Sequence, residues 1–266
     1  MTDICIFSRN RPLQLHALLK SIQTRVMSYG NITILHRYDE EYSAALEEVK
    51  QQFPNCNFSE DNNFKDQVCD FLSTGGDHCF FLVDDIVFRK EIDLRVCENI
   101  LKHNPNVLTF SLRLGLHLNY CYPMQEQQHI PNGQVQQGMF LWDWTRGHHD
   151  WGYPFSVDGH VFRKSQLLGW CKHLQYSNPN TFEGELQTIK HTFVVPEVCI
   201  TGVESFLFNN PLNRVQEVYA NRSENVTTES LLGLWNQGLE IDIDALGGVL
   251  NTAAHFVVEL PTRSRK

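Results

Sequence analysis

The feature that most constrains the fold is the regular alternation of strand-like and helix-like segments over the first hundred residues. Ile4 to Phe7 is a short apolar run, the mark of a buried strand. A polar turn follows, Ser8-Arg9-Asn10-Arg11, and Pro12 stands where a helix opens, a position that needs no backbone N–H. Leu15, Leu18, Leu19, Ile22 and Val26 then recur at helical spacing. Ile32 to Leu35 reads as a second strand, and Tyr42, Ala45, Leu46, Val49 and Phe53 mark a second helix. Asn57 to Glu60 is a weaker third strand. Phe64, Val68, Phe71 and Leu72 mark a third helix, which Gly75-Gly76 ends. Cys79 to Val83 is the most apolar of these strands and stops abruptly at Asp84-Asp85.

Strand–helix–strand units of this length predict an α/β fold, with a mainly parallel central sheet flanked by helices on both faces. Ligands of such sheets bind at the carboxyl ends of the strands. The Ser8–Arg11 turn and the Asp84-Asp85 pair are therefore expected on one edge. Further on, Leu94, Cys97, Ile100 and Leu101 make a helix and Val107 to Leu112 a strand. Residues 115–155 are irregular and rich in Gln, Gly, Tyr, Trp and His. A strand at Val157–Phe162, a helix from about Lys164, a helix at Thr181–His191 and a strand at Val194–Ile200 follow. From Pro211 the pattern suggests two or three helices and a tail, Arg263-Ser264-Arg265-Lys266.

A chain of 266 residues buries a proper core without disulfides or a structural metal. Its formal net charge of -9 argues against a nucleic-acid-binding surface, which clusters Lys and Arg. None of the eight cysteines forms a C-x-x-C pair, and most lie in apolar runs, so reduced, buried thiols are expected. No stretch resembles a signal peptide or a transmembrane segment, which leads to the expectation of a cytoplasmic protein. Sequons at Asn31, Asn57, Asn221 and Asn225 carry little weight in that setting.

Several groups could carry chemistry. Asp84 and Asp85 would repel each other at a strand end unless a divalent cation lies between them and a diphosphate; otherwise they cap the next segment. Arg9 and Arg11, in a turn before a helix amino terminus, could hold a phosphate or base, or form an exposed basic turn. Asn62, Asn63 and Lys65 could read a base or ribose, while either asparagine could cap the third helix. Trp142, Trp151 and Tyr153 could stack on sugar rings, or fill the core beneath a long loop. The adjacent pair His148-His149 lacks the spaced partners of a zinc site. No P-loop, G-x-G-x-x-G, nucleophile elbow or H-E-x-x-H motif is present.

The opening strand, the Ser-Arg-Asn-Arg-Pro turn and the run Phe81-Leu82-Val83-Asp84-Asp85-Ile86-Val87-Phe88 together resemble the GT-A glycosyltransferases. The acidic pair resembles their Asp-x-Asp signature in an Asp-Asp form, with Val83 at the first position. Trp151 to His160 and Asn178 to Glu185 resemble the acceptor half of small viral and bacterial polysaccharide glycosyltransferases. The resemblance implies a GT-A fold with an irregular acceptor half. It implies a single domain over 1–266, with a nucleotide-binding half (1–112), an acceptor half (113–215) and a C-terminal helical extension (216–266). It implies Mn²⁺ or Mg²⁺ on Asp85, Asp84 near the metal or ribose, and Ser8, Arg9, Arg11, Asn62, Asn63 and Lys65 around the nucleotide. Inverting transfer needs a carboxylate base. Glu183 is expected in that role ahead of Glu185, in the first turn of a helix capped by Asn180 or Thr181, with Asp158 as runner-up. His160 is expected with the aromatic residues near the sugar, and one of His160, His191 and His255 could complete a metal shell. The substrates implied are a nucleoside diphosphate sugar and a glycan or other hydroxyl acceptor. The rival readings are a sugar nucleotidyltransferase, which usually carries a Gly-rich first turn, and a non-catalytic glycan-binding protein.

Overall fold

In the computed structural model, which describes residues 1–213, 215 and 226–265, alternation along the first strands decides where the sheet lies. In β1 (Thr2–Arg9), Ile4 and Ile6 pack into one apolar cluster while Cys5 and Phe7 pack into another. The split continues in β2 (Tyr29–Arg37), with Ile34 opposite Leu35. After β3 (Asn57–Glu60) it recurs in β4 (His78–Val83), where Phe80 and Leu82 oppose Cys79 and Phe81. Strands apolar on both faces belong inside a covered sheet. The later strands are β5 (Val107–Ser111), β6 (Gly133–Gln136), β7 (Met139–Asp143), β8 (His160–Arg163) and β9 (Val198–Gly202).

They form a nine-stranded sheet in the order β6-β7-β9-β5-β8-β4-β1-β2-β3. β1 pairs in parallel with β2 and β4, β2 with β3, and β5 with β9. β8 runs antiparallel between β4 and β5, so its amino end lies beside their carboxyl ends. One face is covered by α1 (Pro12–Arg25), α2 (Glu40–Gln52) and, after α3 (Phe64–Ser73), by α4 (Leu94–His103). α3 covers the other face with α5 (Lys164–Cys171) and α6 (Pro179–Thr192). This is the fold class expected from the sequence.

The differences have local causes. The last central strand begins at Val198 rather than Val194, because Pro196 has no N–H to give a ladder. α6 starts upstream of its expected position: Asn178 caps it in a capping box with Thr181, and Pro179 occupies the first turn. Glu183 thereby moves from the first turn to the second. Neither Asn62 nor Asn63 caps α3; the Gln67 side chain accepts from both of their N–H groups.

Residues 226–265 contain α7 (Thr228–Asn236), α8 (Ile243–Gly247) and a pairing of Leu239–Ile241 with Thr262–Ser264. These pack against α1. The basic tail is tied down: Arg263 pairs with Glu240, Asp242 and Asp244, and Arg265 lies 3.5 Å over the Trp235 ring. Residues 216–225, with Asn221 and Asn225, and Lys266 lie outside the described residues. All eight cysteines are unpaired, six of them buried.

A buried ion pair ties β1 to α3 and α5. Lys164 Nζ donates to Asp3 Oδ2 at 2.7 Å and to the Phe71 and Thr74 carbonyls, while Asp3 also accepts from the Asn31 and Gly76 N–H groups. Gly75, at φ +76°, admits no side chain: a Cβ would lie 2.3 Å from Asp3 Oδ2. Lys164→Met strands a buried carboxylate and is expected to cost about 3–5 kcal/mol in urea unfolding. Adding Asp3→Asn should recover part of that loss.

Candidate functional site at the carboxyl edge of the sheet

Because β1 and β4 are parallel neighbours with Phe7 opposite Val83, the Ser8–Arg11 turn and Asp84-Asp85 meet at the carboxyl edge, as expected. One oxygen of buried Asp84 accepts from Ser8 Oγ at 2.9 Å and the Arg9 N–H at 3.0 Å; the other accepts from Arg11 at 2.8 Å. Asp84 is a strut that fixes the turn. Arg11 is buried too: it reaches Asp85 at 3.3 Å and donates to the Asn213 carbonyl. The guanidinium expected to face a phosphate is thus spent inside the fold. Arg9 gives its backbone to the strut and leaves its side chain at the surface.

Asp85 is less well satisfied. Burial, with the nearby charges of Asp84 and Asp158, pushes its carboxyl up to about 6 against the pull of Arg11 and His255. Asn209 donates to it at 3.2 Å. Asn209 ends β10 (Leu207–Asn209), which pairs with Ile86–Phe88 and bridges to His255. That bridge brings two chain-distant side chains to the strand end.

The antiparallel entry of β8 delivers Asp158 to the same edge. Its Oδ2 lies 3.3 Å from Arg113 Nη1 and 3.5 Å from His255 Nε2. Burial works to raise its pKa, but the His255 hydrogen bond and the charges of Arg113 and His255 hold it at about 2. Buried Arg113 also donates to Ser156 Oγ at 2.6 Å and Asp150 Oδ1 at 3.0 Å, and Asp150 takes a further bond from Gln128. Half-buried Glu183 accepts from the Val157 N–H at 3.0 Å. Burial and the Asp158 charge push it up to about 7, despite the Val157 N–H, Arg113 and Ser156. The two environments pull in opposite directions: the cations beside Asp158 favour its charged form, while burial and the Asp158 charge disfavour that of Glu183. Glu185 takes no part in these contacts.

Other expectations require correction. Trp142 is 3 % and Trp151 0 % exposed; their rings pack edge-to-face 5.0 Å apart, and the Trp142 indole N–H donates to the Trp151 carbonyl. No sugar ring has access to either. His160, 1 % exposed, is held by the Pro154 carbonyl and Ser111, and burial pushes it down to about 3. Tyr153 alone of this group reaches the surface, at 36 % exposure. Lys65 donates to the Leu174 carbonyl, and the exposed Asn63 side chain donates to Asp66. Asn62 is exposed, and His149 pairs with Glu126 at 3.2 Å.

Arg113, Asp150 and Asn209 were not among the expected site residues. Arg113 follows directly on the predicted strand Val107–Leu112, so the strand-end rule was its signal. Asn209 and His255 have no comparable sequence signal, because a long-range bridge places them.

Among the described residues, no three His, Cys, Asp or Glu side chains are grouped to hold a metal ion by themselves. The donors here nonetheless suit a hard cation that completes its shell with phosphate oxygens. Asp85 lies in an excess of negative charge, and the buried Asn209 Oδ1 has no partner.

A mainly parallel sheet with an arginine–carboxylate cluster at its carboxyl edge makes this an α/β protein whose candidate site lies where such sheets bind ligands. The chain is similar to the bifunctional glycosyltransferase pgtA of Dictyostelium discoideum, 25% identical over 251 residues, covering 82% of this chain and 33% of that protein. It thus spans about a third of the curated relative's length. No protein-family model matches. Among solved structures it is similar to S. aureus TarS 1–349 in complex with UDP (12% identity, 79% of this chain and 61% of that one, TM-score 0.49). It is also similar to CMP:2-keto-3-deoxy-manno-octonic acid synthetase complexed with CTP (13% identity, 89% and 98%, TM-score 0.43). No helix among the described residues is long and apolar enough to cross a membrane.

Proposed function

We propose that this chain transfers a sugar from a nucleoside diphosphate sugar to a hydroxyl acceptor, a glycan or another hydroxyl compound, with inversion and with the help of Mn²⁺ or Mg²⁺. The observation that carries the reading is the gathering of Asp158, paired with Arg113 and His255, Glu183, held by the Val157 N–H and raised by burial, and the under-satisfied Asp85 at one strand edge. The similarity to a bifunctional glycosyltransferase of Dictyostelium supports it.

Glu183 is the base. At neutral pH it takes the proton of the acceptor hydroxyl as that oxygen bonds to the anomeric carbon. The bond from that carbon to the phosphate oxygen breaks on the opposite face, and its electron pair leaves with the nucleoside diphosphate. Asp158, at about 2, is too weak a base for this step. Its charge keeps Glu183 basic, and Arg113 holds the Ser156–Asp158 segment whose Val157 N–H binds Glu183. Asp85, Asn209 Oδ1 and His255 are the groups that would hold the cation, and carboxylate, carbonyl and imidazole together suit Mn²⁺. When bound, the ion supplies positive charge to the diphosphate leaving group. Tyr153, at the surface of its segment, is the aromatic residue proposed to meet the acceptor. Eight unpaired thiols suit a reducing compartment such as the cytoplasm.

The nucleotidyltransferase reading is weaker, because the first turn has no glycine and Arg11 is unavailable to a triphosphate. Thermal-shift titration with nucleoside diphosphates tests the proposal. Stabilisation is expected to be much larger with Mn²⁺ than without, reaching about 2.7 kcal/mol at a hundred times Kd. If no nucleoside diphosphate stabilises the protein in Mn²⁺, the proposal fails.

A further inference from the structure

We propose that the groove between β2, β3 and α3 is a binding subsite for a neutral, hydroxyl-rich ligand, an oligosaccharide, separate from the site at Asp85. The groove has a volume of about 440 Å³, within the usual range for small-ligand pockets. It lies on the α3 face of the sheet, while the carboxylate cluster gathers at the carboxyl edge. Of its lining, Asn31 and Gly75 lie near the amino ends of the strands.

The lining breaks the rule that the rest of the sheet obeys. On this face the inner strands carry Cys5, Phe7, Cys79 and Phe81, all buried. The same face of β2 presents Asn31 and Thr33 before Leu35, and the paired positions of β3 are Asn57 and Ser59. A sheet meant only to be covered by a helix would carry aliphatic residues there. The side chains of Asn31, Thr33 and Asn57 make no hydrogen bond to another described residue, so their donors and acceptors are available in the groove.

Charge decides the ligand class. The one lysine in the lining, Lys164, spends its ammonium on Asp3 and two carbonyls. Exposed Asp70 adds a carboxylate to the wall. A phosphate, sulfate or sialic acid would meet negative charge with no free cation. Amides and hydroxyls that accept and donate in pairs, with a carboxylate, match the hydroxyls of a sugar. The inference stands on this lining and does not depend on the reading of Asp85. Where that reading also holds, the groove would retain a glycan remote from the point of transfer.

The test is an array of neutral, sialylated and sulfated oligosaccharides. The protein is made in bacteria so that Asn31 and Asn57 carry no N-glycan. The parent, Asn31→Ala/Asn57→Ala and Asp85→Ala are compared, with the melting temperature of each variant confirming its fold. Neutral oligosaccharides are expected to bind the parent and Asp85→Ala alike, and to bind the groove variant about tenfold more weakly, the effect of two lost hydrogen bonds. The inference is overturned if no oligosaccharide binds or if only charged ones do. Equal binding by the groove variant, or loss of binding in Asp85→Ala, overturns it as well. Mn²⁺-dependent stabilisation by nucleoside diphosphates, measured in parallel, tests the reaction site separately and should be the same in the groove variant as in the parent.

Discussion

Glu183→Gln is expected to lower the transfer rate by about 10²- to 10⁴-fold, the usual contribution of a positioned base, while nucleoside diphosphate affinity stays unchanged. In the parent, kcat should rise with pH through about 7 as Glu183 ionises, and the variant should lose that limb. Stability should move the opposite way. The carboxyl is raised from its ordinary 4.5 to about 7 in the folded chain, so the folded state binds the extra proton between those values. The parent therefore loses stability as pH rises through that window. Glutamine carries no such penalty, so the variant should melt higher than the parent above about pH 7, and the advantage should vanish below about pH 4.5. A structural glutamate would lose stability on replacement and leave the pH profile of kcat intact.

Asp85→Ala is expected to abolish the Mn²⁺ dependence of nucleotide binding and to lower transfer by at least about 10²- to 10³-fold, as expected when charge stabilisation of the leaving group is lost. Without divalent ions the variant should again gain stability near neutral pH. Asp85 is raised from 3.8 to about 6 by burial and by its acidic neighbours, so its ionisation opposes folding above that window. More stability with less activity marks an acid kept for function rather than for folding. Nucleotide binding measured by calorimetry with and without Mn²⁺ checks the first expectation, and melting in a chelator checks the second. Unchanged Mn²⁺-dependent binding would remove Asp85 from the proposed site.

The sheet was legible because its information is local. The alternation of Ile4, Cys5, Ile6 and Phe7, the proline at the start of α1 and the abrupt stop at Asp84 depend on neighbours in sequence. The meeting of the Ser8–Arg11 turn with Asp84 follows from parallel pairing alone. What stayed hidden depends on long-range pairing. Asp158 reaches Asp85 only because β8 inserts antiparallel between β4 and β5, and His255 arrives through its bridge to Asn209. Charge also misleads when its partners are unseen: Arg11 and Lys65 look ready for a phosphate, yet the fold uses both internally. Trp142 and Trp151 look like a sugar platform because their segment reads as irregular. In the structure Phe140 and Trp142 lie on the inward face of β7, and Trp151 folds back against them.

The central claim is that this carboxyl edge breaks the bond between a sugar and a nucleoside diphosphate. Phosphorus NMR of the products tests it most directly. The protein is incubated in Mn²⁺ with a panel of nucleotide sugars and hydroxyl acceptors, and separately with nucleoside triphosphates and sugar phosphates. Release of a nucleoside diphosphate from at least one nucleotide sugar is expected, and is expected to be lost in both Asp85→Ala and Glu183→Gln. Release of pyrophosphate from a triphosphate, or no nucleoside diphosphate from any nucleotide sugar, would contradict it.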